Sequence, residues 1–255
     1  EHEVAAVVWS CAFYFFVLSA YYVLRPIRDE RGVAGGVNNL AWLFSATLAG
    51  MLLVHPIYTA LVARLPRRRF VPLAYRFFIL NLVVLFLLFR FASTEQSVWI
   101  GRVFFIWTSV FNLFVVSVFW SFMADVFDAE QARRLFPLIA LGGSLGAIAG
   151  PALTRSLVFV VGVPALLLVS SLLLAGAICC VFLLLRWSKK QPVRGHERRH
   201  ERIIGGSFVA GFRHTMASPL LRRVAMLMLL GDAVGTVIYA LLTDYSHDTF
   251  STQEQ

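Results

Sequence analysis

Long apolar runs alternate with short polar segments along almost the whole chain. A helix needs about 20 residues to cross a hydrocarbon layer about 30 Å thick, and seven of the runs reach that length. They cover residues 4–24, 37–62, 70–89, 98–124, 136–161, 163–187 and 224–243. The pattern therefore predicts an all-α membrane protein with seven spans.

Composition supports the membrane assignment. Hydrophobic residues make up 59% of the 255 residues and charged residues only 15%. Soluble domains carry about 45–50% apolar and about 25% charged residues, so a soluble globule is excluded. Cys11, Cys179 and Cys180 lie inside apolar runs and imply no disulfide framework. We expect the apolar faces of these helices to contact the lipid bilayer, which is then the main partner of the protein.

The basic residues are distributed unevenly between the two sides of the predicted membrane. Sixteen of the 23 lie in segments that share one side if the spans alternate, and five lie on the other. The positive-inside rule then predicts a cytoplasmic N-terminus. We expect the membrane to be a bacterial inner membrane. The net charge of +9 needs no nucleic-acid partner, because topology explains it.

One long polar segment divides the apolar runs. Residues 1–187 are predicted to form a six-helix bundle, residues 188–222 a basic cytoplasmic linker, and residues 223–255 the first helix of a second bundle. Two bundles around a midplane cavity are typical of secondary transporters that work by alternating access. We therefore expect the remainder of the second bundle to belong to the same protein, beyond this chain.

The segment 119–151 is predicted to reverse direction at the membrane surface. Its first part is apolar and ends on Asp125. A charged turn that contains Asp128 follows and leads into a second apolar part that is rich in glycine. Gly142, Gly146 and Gly150 recur every fourth residue, so they lie on one helical face and allow close helix packing. A pair of helices that slide during transport would need the same smooth face.

This segment also carries a resemblance. Phe119, Trp120 and Phe122, the Ala124-Asp125 pair, the run Ala-Arg-Arg-Leu-Phe-Pro-Leu at 132–138 and the glycine-rich helix resemble the ATP/ADP translocase family of plastids and intracellular bacteria. That family is a distant relative of the major facilitator superfamily. The resemblance implies a facilitator-type bundle and an antiporter for an anionic solute of the nucleotide or phosphorylated class.

Charged residues near the end of the first run are candidates for substrate contact. Arg25 and Arg28 are three residues apart, so a helix that continued through Pro26 would place both on one face beside Asp29. Two guanidinium groups there could hold an anion bidentately. The family has a Lys-Asp pair where this chain has Arg28-Asp29. The alternative is an interfacial cluster in which the arginines snorkel and pair with acids.

Three further charges lie within or at the ends of predicted spans. Arg102 is a candidate substrate contact near the outer end of the fourth span, although it could also snorkel. Asp125 replaces the glutamate of the family's Asn-Glu pair and is a candidate gate or proton site. Asp232 lies midway along the seventh span, where a carboxylate must be protonated, hydrated or paired, and is a candidate for proton coupling.

Two other functions fit parts of the sequence. A transporter-like membrane protein could keep the bundle in a structural or sensory role without flux. The His196-Glu197-Arg198-Arg199-His200 segment matches a zinc-protease pattern, but a crowded basic context opposes a dication there. We therefore predict no enzyme activity, no metal and no cofactor.

Overall fold

The computed structural model describes residues 2–33, 40–64, 67–189, 213 and 215–251. Nearly all of these residues are helical, and none of them belongs to a strand. The helices are α1 (His2–Val33), α2 (Leu40–Arg64), α3 (Arg67–Phe91), α4 (Thr94–Val126), α5 (Ala129–Val161), α6 (Leu166–Lys189) and α7 (Pro219–Ser251). The predicted all-α class is confirmed.

Five helical segments in the described part of the chain are long and apolar enough to cross a membrane. They are Glu3–Gly32, Arg69–Phe91, Glu95–Val126, Ala129–Val161 and Leu166–Ser188, and α2 contributes a shorter apolar segment, Trp42–Pro56. An integral membrane bundle is therefore supported by length and composition. The count of seven spans and the facilitator arrangement stay predictions.

Helix α1 is the centre of the bundle formed by α1–α6. It packs against α4, α5 and α6, while α3 packs against α4 and α6, and α2 packs against α4. The fully buried rings of Phe13, Phe111 and Phe119 belong to its continuous apolar core. Side chains on α1 therefore contact three neighbouring helices.

Contacts along α1 give the relative directions of its neighbours. The Arg134 guanidinium donates to Glu3 at 2.8 Å, and Thr154 Oγ1 donates to the Val23 carbonyl at 3.2 Å, so α1 and α5 run parallel. Tyr14 stacks on Phe119 with ring centroids 4.2 Å apart, whereas Arg28 lies over Phe105, so α1 and α4 run antiparallel. We call the two ends of the bundle the Glu3 end and the Arg28 end.

The reversal between α4 and α5 is tighter than the apolar pattern suggests. Helix α4 ends at Val126, and α5 already begins at Ala129, seven residues before the predicted start of the fifth span at residue 136. The carboxylate of Asp128 accepts from the backbone N–H groups of Glu130 and Gln131, at 3.1 and 2.8 Å. Such an N-cap satisfies amides that have no partner within the helix, so the polar residues that follow Asp128 are already helical.

Gly142, Gly146 and Gly150 form the face of α5 that packs directly on α1. A Cβ atom added to Gly146 would lie 2.5 Å from the Phe15 carbonyl oxygen, and one added to Gly150 would lie 3.0 Å from the Ser19 carbonyl oxygen. A Cβ on Gly142 would overlap the Cys11 backbone. The Ser19 hydroxyl donates to the Gly146 carbonyl at 3.3 Å across the same contact.

The chain divides into two compact units, Glu1–Ile204 and Gly205–Gln255. The first unit contains α1–α6, and the second contains α7. The predicted boundaries at residues 187 and 223 remain untested, because most of the linker lies outside the described residues. The His196–His200 pattern lies in that part of the chain as well.

Candidate functional site

The C-terminal part of α1 carries a row of arginines. Helix α1 continues through Pro26 to Val33, so Arg25, Arg28 and Arg31 follow one another at three-residue intervals on neighbouring turns. A proline is tolerated inside a membrane helix when neighbouring groups satisfy the carbonyl that it frees. The helix that the paired-arginine prediction requires is therefore present, and it extends one turn beyond that pair.

Arg28 lies at the contact between α1 and α4. Its Nε and Nη2 donate to the same Asp29 oxygen, Oδ1, at 2.8 and 2.7 Å. Its Nη1 is 3.5 Å from the Ser109 hydroxyl, the outer limit of a hydrogen bond, and its guanidinium lies 4.9 Å from the centre of the Phe105 ring. Only 12% of the Arg28 side chain is exposed, so this cation is largely withdrawn from solvent.

Arg25 makes a different contact from Arg28. Its guanidinium lies 5.7 Å from the centre of the Tyr22 ring, one turn earlier on the same helix. Both arginines are on α1, but the described contacts direct Arg28 towards α4 and Arg25 along α1 itself. An anion shared by the two guanidinium groups stays a prediction.

Arg31 is a further cation that the sequence interpretation did not select. Its Nη1 donates to the Ser97 hydroxyl on α4 at 3.2 Å, and its guanidinium lies 5.4 Å from the Phe89 ring on α3. Among the described residues, its buried Nε has no hydrogen-bond partner. In the sequence, Arg31 continues the three-residue spacing of Arg25 and Arg28. Hydropathy placed it beyond the end of the predicted span.

Arg102 lies at the same end of the bundle, on α4. Its guanidinium stacks over the Trp99 ring at 4.6 Å, and its Nε is buried without a hydrogen-bond partner in the described part of the chain. Because α1 and α4 are antiparallel, Arg102 belongs to the turn of α4 where Gly101 abuts Arg31. The Arg28 end therefore gathers Arg28, Arg31 and Arg102, with Asp29 as the ion-pair partner of Arg28.

The two acidic candidates lie elsewhere. Asp125 is partly buried in the last turn of α4, at the Glu3 end, opposite Arg28 along the helix. At that end Arg134 pairs with Glu3 at 2.8 Å. Asp232 belongs to α7 in the second unit, where its backbone carbonyl accepts from the Thr236 hydroxyl at 2.8 Å. Most of the length of α4 therefore separates Arg28, Arg31 and Arg102 from Asp125.

No group of three or more histidine, cysteine or acidic side chains in the described ranges could hold a metal ion. The groups gathered at the Arg28 end are guanidinium donors, the hydroxyls of Ser97 and Ser109, and one carboxylate, Asp29, which is paired with Arg28. This donor set suits an anion, because every guanidinium nitrogen donates and none accepts.

The sequence matches no protein-family model, no curated protein and no solved structure. The resemblance to the ATP/ADP translocases therefore rests on the residues quoted above.

Proposed function

We propose that this chain belongs to a secondary transporter that moves a small anionic solute by alternating access. In this proposal α1–α6 form the first bundle of a facilitator-type protein and α7 begins the second. Nucleotide-like and phosphorylated solutes are the class that the resemblance implies, with antiport as the mode of transport.

The observation that carries the proposal is the largely buried Arg28 between α1 and α4. Moving an isolated cation out of water costs free energy. A buried guanidinium group therefore needs partners whose interactions offset the cost of its desolvation. Asp29 supplies one carboxylate, while Arg31 and Arg102 add two cations at the same end of the bundle. An anion entering this end would meet an excess of fork-shaped donors.

The Arg28–Asp29 pair supplies a mechanism for binding and release. The Nε and Nη2 groups of Arg28 both donate to one oxygen of Asp29. An oxygen of a phosphate or carboxylate solute can replace that oxygen with little movement of the guanidinium group. Arg25 and Arg102 then act as further electrostatic partners. Asp125 at the Glu3 end serves as a gate residue, and Asp232 on α7 couples transport to protons.

The proposal is tested by thermal unfolding of the purified chain with a panel of nucleotides, sugar phosphates and inorganic anions. A ligand that binds only the folded protein stabilises it by about 2.7 kcal/mol at a hundredfold excess over Kd. We expect a phosphorylated anion to stabilise the wild type, Arg28→Lys to respond less and Arg28→Gln to respond least. Lysine keeps the charge but loses the planar fork.

Arg155→Gln is the matched control, because Arg155 is an exposed arginine on α5 with no assigned role. Its response to the anions should equal that of the wild type. If no anion stabilises the wild type, or if Arg28→Gln responds as strongly as Arg155→Gln, the anion site is refuted.

A structural or sensory role without flux is the second candidate. It is favoured by the same ion pair, because Asp29 already neutralises Arg28 within α1. Under this alternative the pair only fixes the contact between α1 and α4. Arg28→Gln would then lower the unfolding temperature without changing the response to any anion.

A further inference from the structure

A groove of about 620 Å³ lies on the bundle surface where α3 ends and α4 begins. Its walls come from the last two turns of α3 and the first two turns of α4, which are joined by Ala92 and Ser93. Apart from Gln96 the lining is apolar and includes Val84, Leu87, Leu88, Phe91, Trp99 and Ile100. This apolar lining does not suit the nucleotide-like or phosphorylated solutes proposed above.

The position of the groove in the helices indicates what covers it. Both helices belong to segments long and apolar enough to cross a membrane, and the groove lies where those segments end. Phe91 is 81% exposed and Trp99 is 63% exposed. Tryptophan concentrates at the level of lipid headgroups, where one side of the ring meets acyl chains and the other meets water.

Charge at this end of the two helices favours an anionic headgroup. Arg90 is exposed in the last turn of α3, next to Phe91, and the Arg102 guanidinium lies over the Trp99 ring. Glu95 is an exposed acid in the first turn of α4, so the two arginines outnumber it. Long arginine side chains near helix ends extend towards the interface, where lipid phosphates lie.

We propose that this groove is a binding site for an anionic phospholipid. One acyl chain lies along Leu87, Leu88 and Phe91 and ends against Trp99, and the lipid phosphate contacts Arg90. The affinity comes from the apolar contact, since each buried methylene contributes about 0.8 kcal/mol, while the arginine selects the headgroup. Lipid binding here does not depend on transport. Because Arg102, which lies over Trp99, also belongs to the proposed substrate contacts, headgroup selection is assigned to Arg90.

The test is native mass spectrometry of the detergent-purified chain with phosphatidylglycerol or phosphatidylcholine carrying identical acyl chains. We expect phosphatidylglycerol to be retained in preference to phosphatidylcholine. Phe91→Ala and Trp99→Ala should each weaken its retention about tenfold, as removal of a large apolar contact predicts. Arg90→Gln should abolish the preference between the two lipids while leaving acyl-chain binding in place.

Matched controls exist for all three variants. Phe159 is 91% exposed in the last turn of α5, Trp42 is 55% exposed near the start of α2, and Arg155 is an exposed arginine on α5. Phe159→Ala, Trp42→Ala and Arg155→Gln should bind lipid like the wild type.

Three results would overturn the proposal. The first is equal lipid retention by groove variants and their controls, and the second is equal retention of the two lipids by the wild type. The third is full displacement of phosphatidylglycerol by inorganic phosphate, which would make the site one for a free anion. Folding of each variant is checked by its thermal unfolding transition, so a loss of lipid is not mistaken for a loss of structure.

Discussion

At the scale of single residues, the arginines of α1 differ in what holds them. Arg28 is paired with Asp29 and lies over Phe105, Arg25 lies over Tyr22, and Arg31 contacts Ser97. Equal spacing in the sequence therefore leads to unequal environments. Arg28, whose side chain is only 12% exposed, is the one on which the proposed anion site depends.

In the proposed mechanism, proton coupling depends on Asp232. The nearest basic residue along the chain is Arg223, more than two helical turns away. A carboxylate within a membrane helix that gains and loses a proton can couple solute movement to a pH gradient. We expect Asp232→Asn to abolish the acceleration of uptake by a pH gradient, because an amide cannot carry the proton.

The measurement is uptake into proteoliposomes with and without an imposed pH gradient. Asp244→Asn is the control, because Asp244 is an acid further along α7 with no assigned role. Equal acceleration in Asp232→Asn and the wild type would remove Asp232 from the coupling mechanism.

Residue types and spacing predicted part of the candidate site. The arginine pair and Asp29 could be selected from the sequence because charges next to an apolar run are rare and costly. Arg31 was missed because the apolar run stops at Leu24, whereas the helix continues through Pro26 to Val33. The contact of Arg28 with Phe105 could not be predicted, because it depends on how α1 packs against α4.

At the scale of helices, the contact between α1 and α5 is made by backbone atoms at close range. Gly142, Gly146 and Gly150 lack the side chains that would separate the two helices. Ser19 and Thr154 add hydroxyl donors across the contact, each to a carbonyl of the opposite helix. Small residues and hydroxyl donors are the usual means of association where lipid removes the hydrophobic drive.

Gly146→Ala should destabilise the chain. The added Cβ would lie 2.5 Å from the Phe15 carbonyl oxygen, and a backbone atom cannot move aside as a flexible side chain can. Overpacking of this kind costs about 1–3 kcal/mol, which exceeds the gain of up to about 1 kcal/mol in helix propensity. The unfolding temperature in detergent should therefore fall.

Ser144→Ala is the control on the same helix, because Ser144 is exposed and its hydroxyl bonds only to the Ala140 carbonyl of its own helix. It should change the unfolding temperature little. A Gly146→Ala variant as stable as Ser144→Ala would show that α1 and α5 are not in close backbone contact.

Helix positions were predicted more accurately than helix ends. The predicted runs at 4–24, 70–89, 98–124, 136–161 and 224–243 each fall within one helix, whereas the run at 163–187 begins three residues before α6. The ends differ because polar residues also form helix. Helix α5, which Asp128 caps, begins seven residues before its predicted apolar segment, and α1 extends nine residues beyond Leu24.

At the scale of the whole molecule, the first unit is a bundle organised around α1. Its Arg28 end carries cations and hydroxyls, and its Glu3 end carries the Arg134–Glu3 pair and Asp125. In the proposed transporter the first set binds the solute and the second controls access. We therefore expect the protein to move the solute across the membrane as well as to bind it.

We test this expectation by solute uptake into proteoliposomes that contain the transporter with both of its bundles. The anion that best stabilises the purified chain is supplied outside in labelled form, with unlabelled anion inside for exchange. We expect saturable uptake by the wild type and Arg155→Gln. Uptake by Arg28→Gln should be reduced at least about tenfold, which corresponds to the loss of about 1.4 kcal/mol of binding free energy. Uptake no faster than in protein-free liposomes, or equal uptake by Arg28→Gln and the wild type, would contradict it.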